Sequence, residues 1–125
     1  MKNVLLIERE SAQRKVLRRA LEGAGFAALA VNSMGEGLAR LRAHHYDLVV
    51  CTDRNNSVTI SEDYGPIIDA TGLLARSSAG YELYLPGIGI DARAVLIFPT
   101  MEVGRVIPAV RDVQARLEKM TATRA

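Results

Sequence analysis

The chain changes from a buried strand to a helix within residues 4–11, which read Val-Leu-Leu-Ile-Glu-Arg-Glu-Ser. Four consecutive apolar residues are typical of a strand that is covered on both faces of a parallel sheet. Ser11 precedes apolar residues at helical spacing, so we expect it to be the N-cap of the first helix, with Gly25 at the end of that helix. This stretch indicates the first strand and helix of an α/β domain.

The alternation of strands and helices continues along the first half of the chain. Residues 26–31 predict a second, weaker strand, and residues 46–51 predict a third strand with a buried apolar run. Asn32 or Ser33 is placed to cap the helix between them. Strand, helix, strand, helix and strand in this order imply a parallel sheet with right-handed crossovers.

The second half of the chain predicts two more strands and a last helix. Residues 81–85 and 94–98 have the apolar character of strands, and a helical apolar stripe starts at Val103. Pro108 lies inside that stripe, so we expect either a kink or a later start of the helix.

The region between these strands is less regular. Residues 52–65 predict mostly loop, and Pro66 predicts the first turn of a helix that includes Ile68. Only eight residues separate Leu85 from Ala94, whereas a parallel crossover usually takes a dozen or more. Two explanations stay open: the crossover helix is reduced to a loop, which we favour, or the fourth strand is misplaced.

Composition suits a cytoplasmic protein of one domain. A chain of 125 residues that is 49% hydrophobic can form one core, which we place at residues 1–120, with residues 121–125 as a frayed tail or the start of a linker. Sixteen basic and fourteen acidic residues give a net charge of +2, too small to indicate nucleic acid or membrane. We interpret the one basic cluster as a solvated helix face; its members are Arg14, Lys15, Arg18 and Arg19. There is one cysteine and no signal-peptide or membrane-spanning pattern.

The order of these features resembles the receiver domain of response regulators in two-component signalling. In that family a first strand ends in an acidic cluster, and the helix after it runs to a Gly-aromatic pair, here Gly25-Phe26. A third strand of the type seen at residues 47–51 ends in the phosphoacceptor aspartate, and a lysine-proline pair follows the fifth strand. The resemblance implies a flavodoxin-like, doubly wound, five-stranded parallel sheet in the order 2-1-3-4-5, with the fourth helix short or missing here.

The resemblance also implies a phosphorylation pocket at the carboxyl ends of the strands, and here its key positions differ. The acidic pair falls on Glu8 and Arg9, the phosphoacceptor on Thr52 and the lysine on Phe98. Arginine repels Mg²⁺, and a hydroxyl without an adjacent base is a poor nucleophile. Phe98 carries no charge, and it either fills the pocket or adds to the core. We therefore predict a degenerate pocket, to which the neighbouring Asp53 also belongs.

We expect no cofactor, and Mg²⁺ binding is doubtful. Glu8, Glu10 and Asp53 are weak candidates for metal ligands. Glu10 has a simpler role as an acidic residue near the start of a helix, and Asp53 as a turn or cap residue.

These substitutions predict a pseudo-receiver, a signalling domain that acts through protein–protein contacts and is not an enzyme. Its partner would be a histidine kinase, an output domain or a second copy of the chain, with no membrane contact. Two alternatives stay open: phosphorylation at a shifted site such as Asp53, and an α/β domain of another class that binds a small ligand or DNA. Two observations argue against a domain of another class. No Gly-rich loop follows the first strand to bind phosphates, and the domain lacks aromatic residues placed to stack on nucleic-acid bases.

The partner surface of the family lies around the fourth helix, fifth strand and fifth helix. If the fourth helix is absent, apolar residues near it become exposed and contact a partner. The alternative is that these residues are buried within the chain. The candidates are Ile88, Ile90, Val103, Ile107 and Val110.

Overall fold

The computed structural model describes residues 2–52, 68–69, 82–85, 92–98 and 103–124. Among the described elements, strands and helices alternate over residues 3–51, and the next three described elements are strands. The elements are β1 (Asn3–Ile7), α1 (Ser11–Gly23), β2 (Ala27–Val31), α2 (Met34–Ala43), β3 (Tyr46–Cys51), β4 (Ile68–Asp69), β5 (Glu82–Leu85), β6 (Ala92–Ile97) and α3 (Val103–Arg124).

The described strands form one sheet in the order β2-β1-β3-β6-β5-β4. The first four strands of that order are parallel to one another, whereas β5 and β4 run antiparallel to their neighbours. The chain is therefore an α/β protein built on a four-stranded parallel sheet.

The predicted order of the last two strands is wrong. Strand β6, predicted as the fifth, pairs directly with β3, with Leu48 opposite Ala94. Strand β5, predicted as the fourth, lies on the outer side of β6 and antiparallel to it, with Leu83 opposite Leu96. The six residues between these two strands are too few for a parallel crossover, and a short connection joins antiparallel neighbours instead. Of our two explanations, misplacement of the fourth strand therefore holds.

The helix predicted from Pro66 is also wrong at Ile68. Ile68 and Asp69 form β4, which pairs antiparallel with Leu85 and Tyr84 of β5. The remainder of that predicted helix lies outside the described residues.

Helices cover both faces of the parallel strands. On one face, Leu6 and Val50 pack with Leu17 of α1 and Val110 of α3. On the other face, Leu5 and Val49 pack with residues of α2 that include Leu41. Because successive strand residues point to opposite faces, the continuous apolar runs of β1 and β3 supply both cores.

Of the N-caps predicted for the first two helices, one is confirmed and one is wrong. Glu10, not Ser11, is the N-cap of α1: its carboxylate accepts hydrogen bonds from Ala12 N at 3.1 Å and Gln13 N at 3.3 Å. Ser33 caps α2 as expected, because its Oγ accepts from Glu36 N at 3.2 Å. The carboxylate oxygens of a glutamate lie two carbons further from Cβ than the hydroxyl oxygen of a serine, so Glu10 caps the helix with its side chain folded back on the backbone.

Helix α3 starts where its apolar stripe starts in the sequence, and it ends later than expected. It begins at Val103, so Pro108 does not mark a later start and lies inside the helix. It continues to Arg124 and so includes residues that we expected to form a frayed tail or a linker. Among the described residues, no helix combines the length and apolar character needed to cross a bilayer.

Candidate functional site

The carboxyl ends of three parallel strands meet at one edge of the sheet. Ile7 of β1 pairs with Cys51 of β3, and Cys51 pairs with Ile97 of β6. The residues that follow these strands, Glu8, Thr52 and Phe98, therefore lie next to one another along the edge. In open parallel sheets this edge is where ligands usually bind.

Glu8 is a buried carboxylate at this edge, with 5% of its surface exposed. Its Oε1 accepts a hydrogen bond from Glu10 N at 2.9 Å, and its backbone N donates to Val31 O at 3.1 Å. Its Oε2 is buried and has no hydrogen-bond partner. A buried carboxylate oxygen without a partner costs free energy, so Glu8 braces the turn after β1 at some cost to stability.

Arg9 and Glu10 lie in the turn after β1 and not inside a pocket. The Arg9 side chain is exposed, and both carboxylate oxygens of Glu10 accept from the first turn of α1. Arg14 donates from Nη1 to Glu8 O at 3.1 Å and to Arg9 O at 3.3 Å, and so holds the turn from the side of α1. We had assigned no role to Arg14 beyond a solvated helix face.

Thr52 is half-buried at the end of β3. Its hydroxyl donates to Ile7 O at 3.3 Å and thereby ties the end of β3 to the end of β1. A hydroxyl that donates to a carbonyl, with no carboxylate or imidazole as its acceptor, is not activated as a nucleophile.

Phe98 belongs to the core. Only 1% of its surface is exposed, and it packs in the cluster that the sheet forms with α1 and α3. Its backbone N donates to Cys51 O at 2.8 Å, which extends the pairing of β3 with β6. Of the two roles considered for Phe98, the packing favours that of a core aromatic.

The described donors at this edge do not fit Mg²⁺. The ion needs a near-octahedral shell of oxygen atoms, usually with carboxylates among them. Glu8 offers one oxygen that is not already bonded, and Glu10 offers none. Within the described residues, no three His, Cys, Asp or Glu side chains come together. Asp53, the third candidate, lies outside those residues.

The predicted partner surface is partly buried. Val110 is completely buried and Ile107 is half-buried, and both pack on the core beneath α3. Val110 is therefore not a surface residue. Ile88 and Ile90 lie outside the described residues, and so does the side chain of Val103.

A groove that we did not predict lies at the opposite end of the sheet. It has a volume of about 690 Å³, and its lining includes Phe26, His44, His45 and Tyr46. Burial raises the pKa of Tyr46 above its usual value, and the charge of Arg40 opposes this in part. The signal in the sequence is the pair His44-His45 directly before the strand that begins at Tyr46.

No protein-family model, curated protein or solved structure matches this chain. The resemblance to receiver domains therefore rests on the order of residues in the sequence alone.

Proposed function

We propose that this chain is an atypical receiver-like domain that signals through protein–protein contacts and is not phosphorylated on an aspartate. The fold supports this proposal to the extent that β2, β1 and β3 are parallel, in the order of a flavodoxin-like sheet, with helices on both faces. The domain would act in the cytoplasm, without a cofactor and without catalysis of its own.

The proposal depends most on Thr52, which ends β3 between Glu8 and Phe98. Aspartyl phosphorylation needs a carboxylate nucleophile, and developing negative charge must be neutralised by a metal or a cation. At this edge a hydroxyl donates to a carbonyl, a buried carboxylate adds negative charge and a core aromatic carries none. Thr52 therefore supplies no carboxylate acceptor at the end of β3, and neither Glu8 nor Phe98 supplies the positive charge that would neutralise the phosphoryl group.

Intact mass spectrometry after incubation with acetyl phosphate and Mg²⁺ tests the proposal. We expect the wild-type mass to stay unchanged. Thr52→Asp is the informative variant because it supplies an acceptor at the end of β3 and leaves the other positions as they are. We expect it also to stay unmodified, since Arg9 provides no metal ligand at the position of the second acidic residue and Phe98 provides no cation at the position of the lysine.

A stoichiometric phosphoryl adduct on the wild-type chain would contradict the proposal. The variant Asp53→Asn then identifies the site: loss of the adduct would establish the alternative of a receiver that is phosphorylated at a shifted aspartate. Persistence of the adduct would direct attention to another residue.

A further inference from the structure

Strand β2 is an end strand whose outer edge is open. It pairs with β1 on one side, and none of the described strands lies on the other. Ala27 N donates to Lys2 O at 2.8 Å, and Val31 O accepts from Glu8 N, so these residues face β1. Because the backbone groups of successive strand residues point in opposite directions, Ala28 and Ala30 direct their N–H and C=O groups outward.

This edge lacks the features that usually prevent the addition of another strand. Lysine, proline and bulges protect many edge strands, but β2 reads Ala-Ala-Leu-Ala-Val and pairs with β1 in continuous register. The methyl side chains of Ala28 and Ala30 leave room for a close approach. The open edge is short, because Phe26 N already donates to Leu21 O at 3.0 Å and Asn32 N to Glu36 Oε2 at 3.4 Å.

Two grooves are lined in part by residues of β2. The groove of about 690 Å³ reaches Ala27, Ala28 and Leu29. A second groove of about 330 Å³ lies between Ala30 and the basic side of α1. An extended segment laid on β2 would therefore have walls on which to place its side chains.

The wall formed by α1 is positively charged. Four cations line it: Arg14, Lys15, Arg18 and Arg19. Arg18 pairs with Glu22 at 3.1 Å, and Arg14 is engaged with the backbone of the turn after β1. Lys15 and Arg19 form no ion pair with any described residue and are exposed. These two cations are available to a ligand of opposite charge.

We infer that the β2 edge binds an extended acidic segment of a protein partner as an added strand, with Lys15 and Arg19 paired to its carboxylates. Backbone hydrogen bonds to Ala28 and Ala30 supply affinity, and the cations select acidic sequences. The inference rests on the proposed function, because it names the partner and the surface of that protein-interaction module.

A second copy of the chain fits this edge less well than an acidic segment does. Antiparallel pairing of two β2 strands about a two-fold axis would bring both α1 helices to the same face of the joined sheet. Lys15 and Arg19 of the two copies would then lie near each other, and like charges repel.

The inference can be tested with a short synthetic peptide of alternating valine and glutamate, carrying a fluorophore for anisotropy. We expect it to bind the full chain, whereas a valine–lysine peptide does not. Binding should weaken at least about tenfold in the variant Lys15→Glu/Arg19→Glu, because two attractive pairs become repulsive. Arg111→Glu, a reversal of an exposed charge on α3, is the matched control and should bind like the wild type.

A second arm of the experiment tests the added strand itself. Peptide that is N-methylated at alternate backbone positions keeps its charges but loses donors, and it should bind at least about tenfold more weakly. Ala28→Pro removes an outward N–H without removing a bond to β1, and it should abolish binding in a folded protein. Amide exchange of Ala28 and Ala30 should slow when the unmodified peptide is added.

Three results would overturn the inference. They are equal affinity for the N-methylated peptide, binding of single-stranded DNA in place of the peptide, and a concentration-dependent dimer that Ala28→Pro dissociates. None of these results concerns phosphorylation, so the mass experiment tests the proposed function independently of peptide binding. Conversely, an adduct would contradict the proposed function while peptide binding at β2 stayed intact.

Discussion

At the scale of single residues, Gly37 faces Ile7 across the contact between α2 and β1. A Cβ on Gly37 would lie 2.6 Å from Ile7 Cδ1 and 3.0 Å from Cγ1, and both residues are buried. Alanine raises helix propensity by about 1 kcal/mol over glycine, but overpacking a core costs about 1–3 kcal/mol. We therefore expect Gly37→Ala to lower the free energy of unfolding by about 1 kcal/mol, measured by urea denaturation.

Gly35 provides the matched control on the same helix. It is exposed, and the nearest atom to its added Cβ is Ser33 Oγ at 3.9 Å, so Gly35→Ala should leave stability unchanged or raise it by a few tenths to about 1 kcal/mol. Ile7→Val removes Cδ1 and should offset part of the cost of Gly37→Ala, which makes the double variant less unstable than the sum of the singles. Additive effects would show that the contact with Ile7 is not the cause.

The residues of the candidate site show which local features a sequence can predict. Glu8 and Thr52 were placed at one edge because both follow buried strands, and parallel strands end at the same side of a sheet. The direction of Phe98 was not predictable in the same way: a residue at the end of a strand either continues the alternation into the core or turns into the pocket. Glu10 was misassigned because two adjacent residues, Glu10 and Ser11, can each cap a helix.

At the scale of elements, Pro108 is the clearest conflict between sequence and structure. It lies inside α3, five residues after Val103, and it is exposed. A proline there removes one helical hydrogen bond and crowds the preceding turn, which costs about 3 kcal/mol in a helix interior. Since no buried contact is lost, we expect Pro108→Ala to raise the free energy of unfolding by about 1–3 kcal/mol in chemical denaturation.

The reverse substitution checks that the effect belongs to the helix. Ala115 is also exposed and lies further along α3, so Ala115→Pro should destabilise the protein by about 3 kcal/mol. A Pro108→Ala variant that is less stable than the wild type would mean that the backbone conformation imposed by Pro108 helps α3 to pack on Phe98 and its neighbours.

The existence of a strand was easier to predict than the strand with which it pairs in the sheet. Strands β1, β3 and β6 are recognisable because an uninterrupted apolar run suits a strand covered on both faces. The position of β5 depends on which strands pair, and that is decided by contacts between distant parts of the chain. The short connection from Leu85 to Ala92 was the useful signal, since it favours an antiparallel pair over the crossover that the receiver resemblance implied.

At the scale of the whole molecule, the two ends of the sheet differ in character. At the carboxyl end, Glu8 accepts a hydrogen bond within the turn after β1 and Thr52 donates one to Ile7 O, whereas the amino end holds a groove lined by Tyr46 and two histidines. The open β2 edge connects the two. An extended partner bound to this edge would contact the side of the sheet, and under the proposed function those contacts would not depend on aspartyl phosphorylation.

Tyr46, at the amino end of the sheet, makes the stability of the protein depend on pH in the alkaline range. Its side chain is buried at the start of β3, and desolvation of the phenolate raises its pKa above the usual value of 10.0, although Arg40 counteracts this in part. The folded protein therefore holds this proton at pH values where the unfolded chain releases it. The stabilisation is fully present below pH 10.0 and is lost as the pH rises through the folded pKa, with a slope of at most about 1.4 kcal/mol per pH unit.

We expect Tyr46→Phe to lose less stability than the wild type between neutral pH and the range above 10, in denaturation curves recorded at matched pH values, while keeping a similar fold because the ring is retained. If both proteins lose stability in parallel, the alkaline sensitivity arises elsewhere, and Tyr46 ionises as readily in the folded protein as in the unfolded chain.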